Sequence, residues 1–160
     1  MIKEIEKSDL AECVNVIRKS FQTVADEFGF TIENAPRFTA FATTVERLFY
    51  QLEYEHRVMA AYYDDGKILG YYSLQFLENH ECELNNLCVL PESRHKKIGE
   101  ALLDDVVVRA KSNNCTKIKI SIVEENKVLR RWYEAHGFVH TRCEKFDFFP
   151  FTCGYMEMEL

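Results

Sequence analysis

The stretch from Leu87 to Leu102 constrains the fold of this chain more than any other. An apolar run, Leu87-Cys88-Val89-Leu90, stops at Pro91, and a cationic turn, Arg94-His95-Lys96-Lys97, follows. Beyond it Ile98, Leu102, Val106 and Ala110 recur at the spacing of one helical face. The order is strand, turn, helix, with the cations at the start of the helix. A helix N-terminus carries free N–H groups and about half a positive charge, so such a turn is suited to an anion such as a phosphate. Gly99 would let that anion approach the backbone with no Cβ in the way.

The turn stands out because the rest of the chain is acidic. Twenty Lys and Arg against 26 Asp and Glu leave a net charge of −6, which argues against a general nucleic-acid binder. No apolar run approaches the ~20 residues that span a bilayer, so no membrane partner is expected. The N-terminus, Met1 to Glu6, lacks the apolar stretch of a signal peptide, and a cytoplasmic location is expected. The six cysteines form no C-x-x-C pair and no zinc spacing, and read as small buried hydrophobes. Cys88 is the one cysteine inside the turn segment, and a nucleophilic role would need a neighbour that lowers its pKa.

Length suits one domain over residues 1–160. Ile2 and Ile5 suggest a first strand. Ser8 or Asp9 can cap a helix with Leu10, Cys13, Val14, Ile17 and Phe21 on one face, and residues 22 to 40 look less regular. A second helix would carry Phe41, Val45, Leu48, Phe49 and Leu52 on one side. Asp64-Asp65-Gly66-Lys67 separates two strand-like runs and predicts a hairpin. Further strands are expected at Glu81–Val89, Lys117–Ile122, from Phe138, and at Tyr155–Leu160. The last of these, if exposed, would be able to pair with a second copy as a homodimer.

A second segment sharpens the first. Asn126 and Tyr133 lie seven apart, about two helical turns, and therefore share a face. Gly137 suits the left-handed position that ends a helix, and Phe138 starts a new strand. Arg94 to Gly99 resembles the pyrophosphate-binding pattern Q/R-x-x-G-x-G/A of the GNAT superfamily of acyl-CoA-dependent N-acyltransferases, departing from it at Lys97, where the pattern has its middle glycine. Asn126, Tyr133, Gly137 and Phe138 resemble its N-x-x-A-x-x-x-Y-x-x-x-G-F pattern, with Leu129 in place of the small residue.

The resemblance implies an α/β (α+β) fold: a single GNAT-like domain with a mixed, mostly antiparallel central sheet, flanking helices and a splayed parallel strand pair at the cofactor. It implies acetyl-CoA as co-substrate, held by Leu87, Cys88 and Val89 on the strand, by Arg94, His95, Lys96, Lys97, Ile98, Gly99, Glu100 and Ala101 in the turn, and by Asn126 and Tyr133. The backbone N–H of Cys88 or Val89 would face the thioester carbonyl, and Tyr133 would be the general acid. The implied enzyme is an acyltransferase acting on a primary amine of a small molecule or peptide. The competing class is a non-catalytic acyl-CoA sensor, for which Lys97 in place of glycine is the motive.

Only about one lysine-like amine in a thousand is neutral at pH 7, so a base or a water chain must take its proton. Glu83 is the candidate base, on a face shared with Asn85 and Leu87 by the two-residue period, with Glu81 as the fallback. No metal is expected, because Gly137 breaks the helix between His136 and His140. Nine of the twelve phenylalanines fall in two segments, residues 21–41 and 146–151. In the GNAT superfamily these regions border the acceptor side of the cleft, which implies either one core cluster or an aromatic acceptor pocket. The acidic balance weakly favours a cationic acceptor.

Overall fold

The computed structural model describes residues 1–160. Seven strands form one sheet in the order β1-β2-β3-β4-β5-β7-β6. They are β1 (Ile2–Glu4), β2 (Val58–Asp64), β3 (Lys67–Phe76), β4 (Glu81–Val89), β5 (Lys117–Val123), β6 (Val139–Lys145) and β7 (Thr152–Glu159). Every neighbouring pair is antiparallel except β4–β5. The sheet and its single parallel pair agree with the expected fold class.

Helix α1 (Leu10–Phe28) runs past Phe21 through the stretch expected to be irregular, and stops at Gly29, whose φ of 73° is left-handed. It buries Leu10, Cys13, Val16 and Ile17 against one face of the sheet, with Leu48 and Tyr71 in the same cluster. The single helix expected after it is two pieces, α2 (Thr39–Ala42) and α3 (Val45–Glu53). Thr43 and Thr44 are extended between them, and Thr44 Oγ1 caps α3 by accepting from Arg47 N–H (3.1 Å). This break turns Val45 and Phe49 toward solvent, while Leu48 and Gln51 point in. Helices α4 (Ile98–Ser112) and α5 (Lys127–Ala135) pack on the opposite face. Ile98, Leu102, Val106 and Ala110 of α4 meet Ile118, Ile120 and Ile122 of β5 there.

The expected hairpin joins β2 to β3, with Asp65 (φ 48°) and Gly66 (φ 76°) both left-handed as a type I′ turn requires. The expected closing strand is not an edge: β7 is hydrogen-bonded to β5 on one side and β6 on the other. The exposed edge at that end is β6, so the sheet offers β6 rather than Tyr155–Leu160 for strand pairing.

Two irregularities in β4 shape the centre of the sheet. Its parallel pairing with β5 covers only Glu81↔Lys117 through Glu83↔Lys119, after which the strands part. On its other side the register jumps from Ser73↔Asn85 to Tyr71↔Cys88, so three steps on β4 answer two on β3. The extra residue is Asn86, with φ 55°. A bulge reverses which side chains face which way. Leu87 therefore joins Leu84 on the α4 face, and the expectation that Leu87 shares a face with Glu83 and Asn85 is corrected.

Candidate active site

Where β4 and β5 part, a cleft of about 200 Å³ opens, and 13 of its 19 lining residues are hydrophobic. Leu84 to Leu87 form one wall and Ile120 to Val123 the other. Along β4 the bulge leaves Asn86 and Leu87 outside the β3 ladder. Leu90 N–H donates to Leu69 O (2.8 Å), and antiparallel bonds alternate. Cys88 N–H thus faces Tyr71, while Val89 N–H faces away from β3 into the gap. Of the two amides expected to serve an oxyanion, Val89 N–H is the one left free by β3.

Past the strand, Pro91–Ser93 make one 3₁₀ turn and the chain enters the cationic segment. His95 and Lys97 both have φ of 63°, and Lys97 is the N-cap of α4. Lys97 therefore adopts the left-handed conformation that a glycine would take at this place, at a cost of roughly 1–2 kcal/mol. Arg94 N–H reaches Pro91 O (3.4 Å) and Ala101 N–H reaches Lys97 O (3.1 Å). Between them, the six amides of residues 95 to 100 have no acceptor in the chain. Alternating backbone of this kind turns successive N–H groups toward a common anion. The Ile98 side chain is buried and anchors the turn. A Cβ on Gly99 would lie 3.6 Å from the Trp132 ring and 3.8 Å from Val89, an ordinary contact.

The side chain of Arg94 is committed elsewhere. It donates from Nε to Val89 O (3.3 Å), from one terminal nitrogen to Thr23 Oγ1 (3.1 Å) and from the other to Ser20 O (3.0 Å). It ties the turn to α1 and β4. The exposed side chains of Lys96 and Lys97 remain as the turn's surface cations, with the exposed His95 ring beside them.

Tyr133 and Asn126 both line the cleft, as their spacing implied. Asn126 is the N-cap of α5 rather than a helical residue, its Oδ1 accepting from Leu129 N–H (3.2 Å). Tyr133 is 6% exposed, with its ring 5.2 Å from Phe138 and 5.0 Å from Trp132. Its hydroxyl makes no hydrogen bond within the chain. Burial, then the nearby Cys88, raises its pKa above the ordinary phenol value, so it holds its proton through the neutral range. Cys88 itself packs among the residues under α1, and burial pushes its thiol up to about 12, against the pull of Ser20 and Arg94. It is a thiol at neutral pH and lacks the thiolate a nucleophile needs.

Glu83 does not line the cleft, but Asn85 does, and Asn85 Nδ2 donates to Glu83 Oε1 (2.7 Å). Asn85 Oδ1 accepts in turn from Arg57 (3.0 Å), which is paired with Glu55 (3.1 Å). Glu81 lies 2.7 Å from Lys119, and the hydrogen bond to that ammonium holds its carboxyl below the usual range. His136 Nδ1 lies 2.7 Å from Trp132 O, and His140 Nε2 lies 2.8 Å from Glu124. No three His, Cys, Asp or Glu side chains converge as a metal site would need.

Eight of the nine phenylalanines of the two segments form one cluster around the buried Phe30, Phe38 and Phe151, with Phe148 exposed at its edge, and Phe21, Phe38, Phe149 and Phe151 also line the cleft. Core and pocket wall are thus the same rings. Arg37 and Thr39 line the same end and carried no motif in the sequence. The Asn85-Asn86 pair was the legible sign of the bulge. Asn is depleted in strand interiors, and it tolerates positive φ better than most residues.

A sheet opened between one parallel pair, with a nest of free amides just beyond the strand that leaves it, is suited to an extended ligand that carries phosphate. The family model "Acetyltransferase (GNAT) family" matches residues 25–138, and the chain belongs to that family. Among solved structures it is similar to PaiA N-acetyltransferase from Thermoplasma acidophilum in complex with coenzyme A, at 21% identity and TM-score 0.83, covering 100% of this chain and 98% of that one. It is similar to the ribosomal-protein-S18-alanine N-acetyltransferase from Escherichia coli at 16% identity and TM-score 0.77, covering 99% and 92%. It also resembles yncA from Salmonella typhimurium with its cofactor acetyl-CoA, at 16% identity and TM-score 0.77, covering 100% and 93%. No helix is long and apolar enough to cross a membrane.

Proposed function

We propose that this chain transfers an acetyl group from acetyl-CoA to a primary amine by direct attack. The observations that carry the reading are six unpartnered amides at residues 95–100, just beyond the end of β4, and a cleft lined by Asn126 and Tyr133 where β4 leaves β5. Acetyl-CoA supplies the activated acyl group and a thiol leaving group.

The chain's own residues divide the remaining work. The amides of residues 95–100 hold phosphate oxygens, with Lys96 and Lys97 adding charge at the surface and His95 a further hydrogen-bonding group. Leu87 and Val89 offer backbone groups to an extended arm, and Val89 N–H points at the position of the developing oxyanion. Asn126 keeps its Nδ2 free for the same arm while its Oδ1 caps α5. Tyr133 Oη delivers a proton to the departing sulfur. Burial that makes a phenol reluctant to ionise does the same to a thiol, as Cys88 illustrates, so the proton affinities of donor and leaving group stay matched. No carboxylate or imidazole lines the cleft, so the amine proton leaves through water toward Glu83, one hydrogen bond behind Asn85.

Calorimetric titration with coenzyme A, followed by free-thiol release from acetyl-CoA over a panel of amines, tests the reading. Binding with amine-dependent thiol release is the expected result. Binding without release on any amine would make the chain an acyl-CoA sensor instead.

A further inference from the structure

The acceptor end of the cleft is walled mainly by aromatic rings, with Thr39 among them, and carries a single full charge, which is positive. Rings of Phe21, Phe38, Phe149 and Phe151 form its walls, no Asp or Glu lines it, and Arg37 stands at its rim. The Arg37 guanidinium lies over the Phe148 ring at 4.3 Å. It has no carboxylate within ion-pair distance and donates no hydrogen bond inside the chain. This is in a protein with 26 Asp and Glu against 20 Lys and Arg. Stacking on Phe148 fixes the plane of the fork and leaves its N–H donors free. A planar fork of this kind matches a carboxylate in bidentate fashion.

The same charge pattern speaks against the cationic acceptor that overall composition favoured. A second ammonium on the acceptor would meet no counter-charge here. A lone amine near the exposed Arg37 guanidinium has its pKa lowered by the like charge, which raises the neutral, nucleophilic fraction. We infer that the acceptor is a small zwitterion, an amine on an aromatic or branched apolar body that also carries a carboxylate, and that Arg37 takes the carboxylate. The inference rests on the acyl-transfer reading for the role of the amine; the anion site rests on Arg37 and the rings alone.

Phenylalanine and 2-phenylethylamine share ring and amine and differ in the carboxylate. With acetyl-CoA, thiol release should favour phenylalanine by about tenfold or more in kcat/KM, the worth of a charge-assisted contact. Arg37→Gln should bring that ratio near one, and Arg37→Lys should keep part of it. A second arm needs no turnover: 3-phenylpropionate and 3-phenylpropanol are titrated into the coenzyme A-loaded protein. The acid should bind more tightly, and Arg37→Gln should weaken the acid by about tenfold. Equal or better use of phenylethylamine overturns the inference, as does a loss of coenzyme A affinity in Arg37→Gln, which would assign the guanidinium to the cofactor. Arg37-dependent binding of the acid with no thiol release from any amine leaves the anion site standing and removes the transferase reading. Thiol release indifferent to carboxylate and to Arg37 does the reverse.

Discussion

Replacing Arg94 by Met separates two accounts of the cationic turn. The stem length is nearly kept, so the apolar packing of the side chain survives and only the guanidinium is lost. That group makes three hydrogen bonds in this structure, to Val89 O, Thr23 Oγ1 and Ser20 O. At roughly 1 kcal/mol net for each, the loss amounts to about 2–3 kcal/mol. For a chain of this size that lowers the melting temperature by roughly 5–10 °C. Coenzyme A affinity should also fall, because the turn loses its tie to α1, but by a factor that does not change with salt. A fork that faced phosphate would give the opposite pattern, since exposed charge pairs are strongest at low ionic strength. Differential scanning fluorimetry and calorimetry at two salt concentrations decide between them. An unchanged melt, with affinity lost mainly at low salt, would refute the assignment of Arg94 as a brace.

Tyr133→Phe should leave the melting temperature nearly unchanged, because the hydroxyl has no partner in the chain, while thiol release falls by about 10²–10⁴-fold; equal turnover would remove Tyr133 as the acid. Its raised pKa also means that no alkaline limb in the rate profile belongs to Tyr133 below its ordinary value of about 10. Lys97→Gly should bind coenzyme A within about threefold of the parent, since the left-handed backbone and its amide are retained, whereas Lys97→Ile should lose roughly 1–2 kcal/mol of stability in the melt. Glu124 packs over Gly154 beside His140. Burial opposes its charge, but the His140 hydrogen bond and the charges of His140, Lys127 and Arg130 outweigh that and hold its carboxyl below the usual range. The stability it contributes is present above the ordinary carboxylate pKa and is lost as pH falls through the depressed one. Melts between neutral and acid pH should therefore show a shallower acid limb in Glu124→Gln.

Local chemistry made much of this fold readable. Asp65-Gly66 announces its turn because few other pairs accept two positive φ values in succession. The α4 face follows from four apolar residues at helical spacing. Where a feature depends on distant neighbours, the residues were silent. Nothing local says that β7 inserts between β5 and β6, which moved the free edge away from the closing strand. The α2–α3 break needed Thr44 as a cap, and an uninterrupted apolar period masked it. In the turn, charge pointed to an anion, but only packing reveals that Arg94 turns back to α1. Arg37 has no motif around it and gains its meaning from rings more than a hundred residues away.

Those rings carry a consequence of their own. The groove's two ends have different origins in the chain. The end proposed to meet the cofactor is built by one continuous stretch from Asn86 to Gly99, with α5 alongside. The other end exists only when the α1–α2 region and the β6–β7 loop close on each other through Phe30, Phe38 and Phe151. A change of ring size at Phe149, on the β6–β7 loop and away from the α1 residues that brace the turn, should therefore reshape the cleft without loosening the cationic turn. The aromatic end of the cleft and the cationic turn beside it can thus be altered separately.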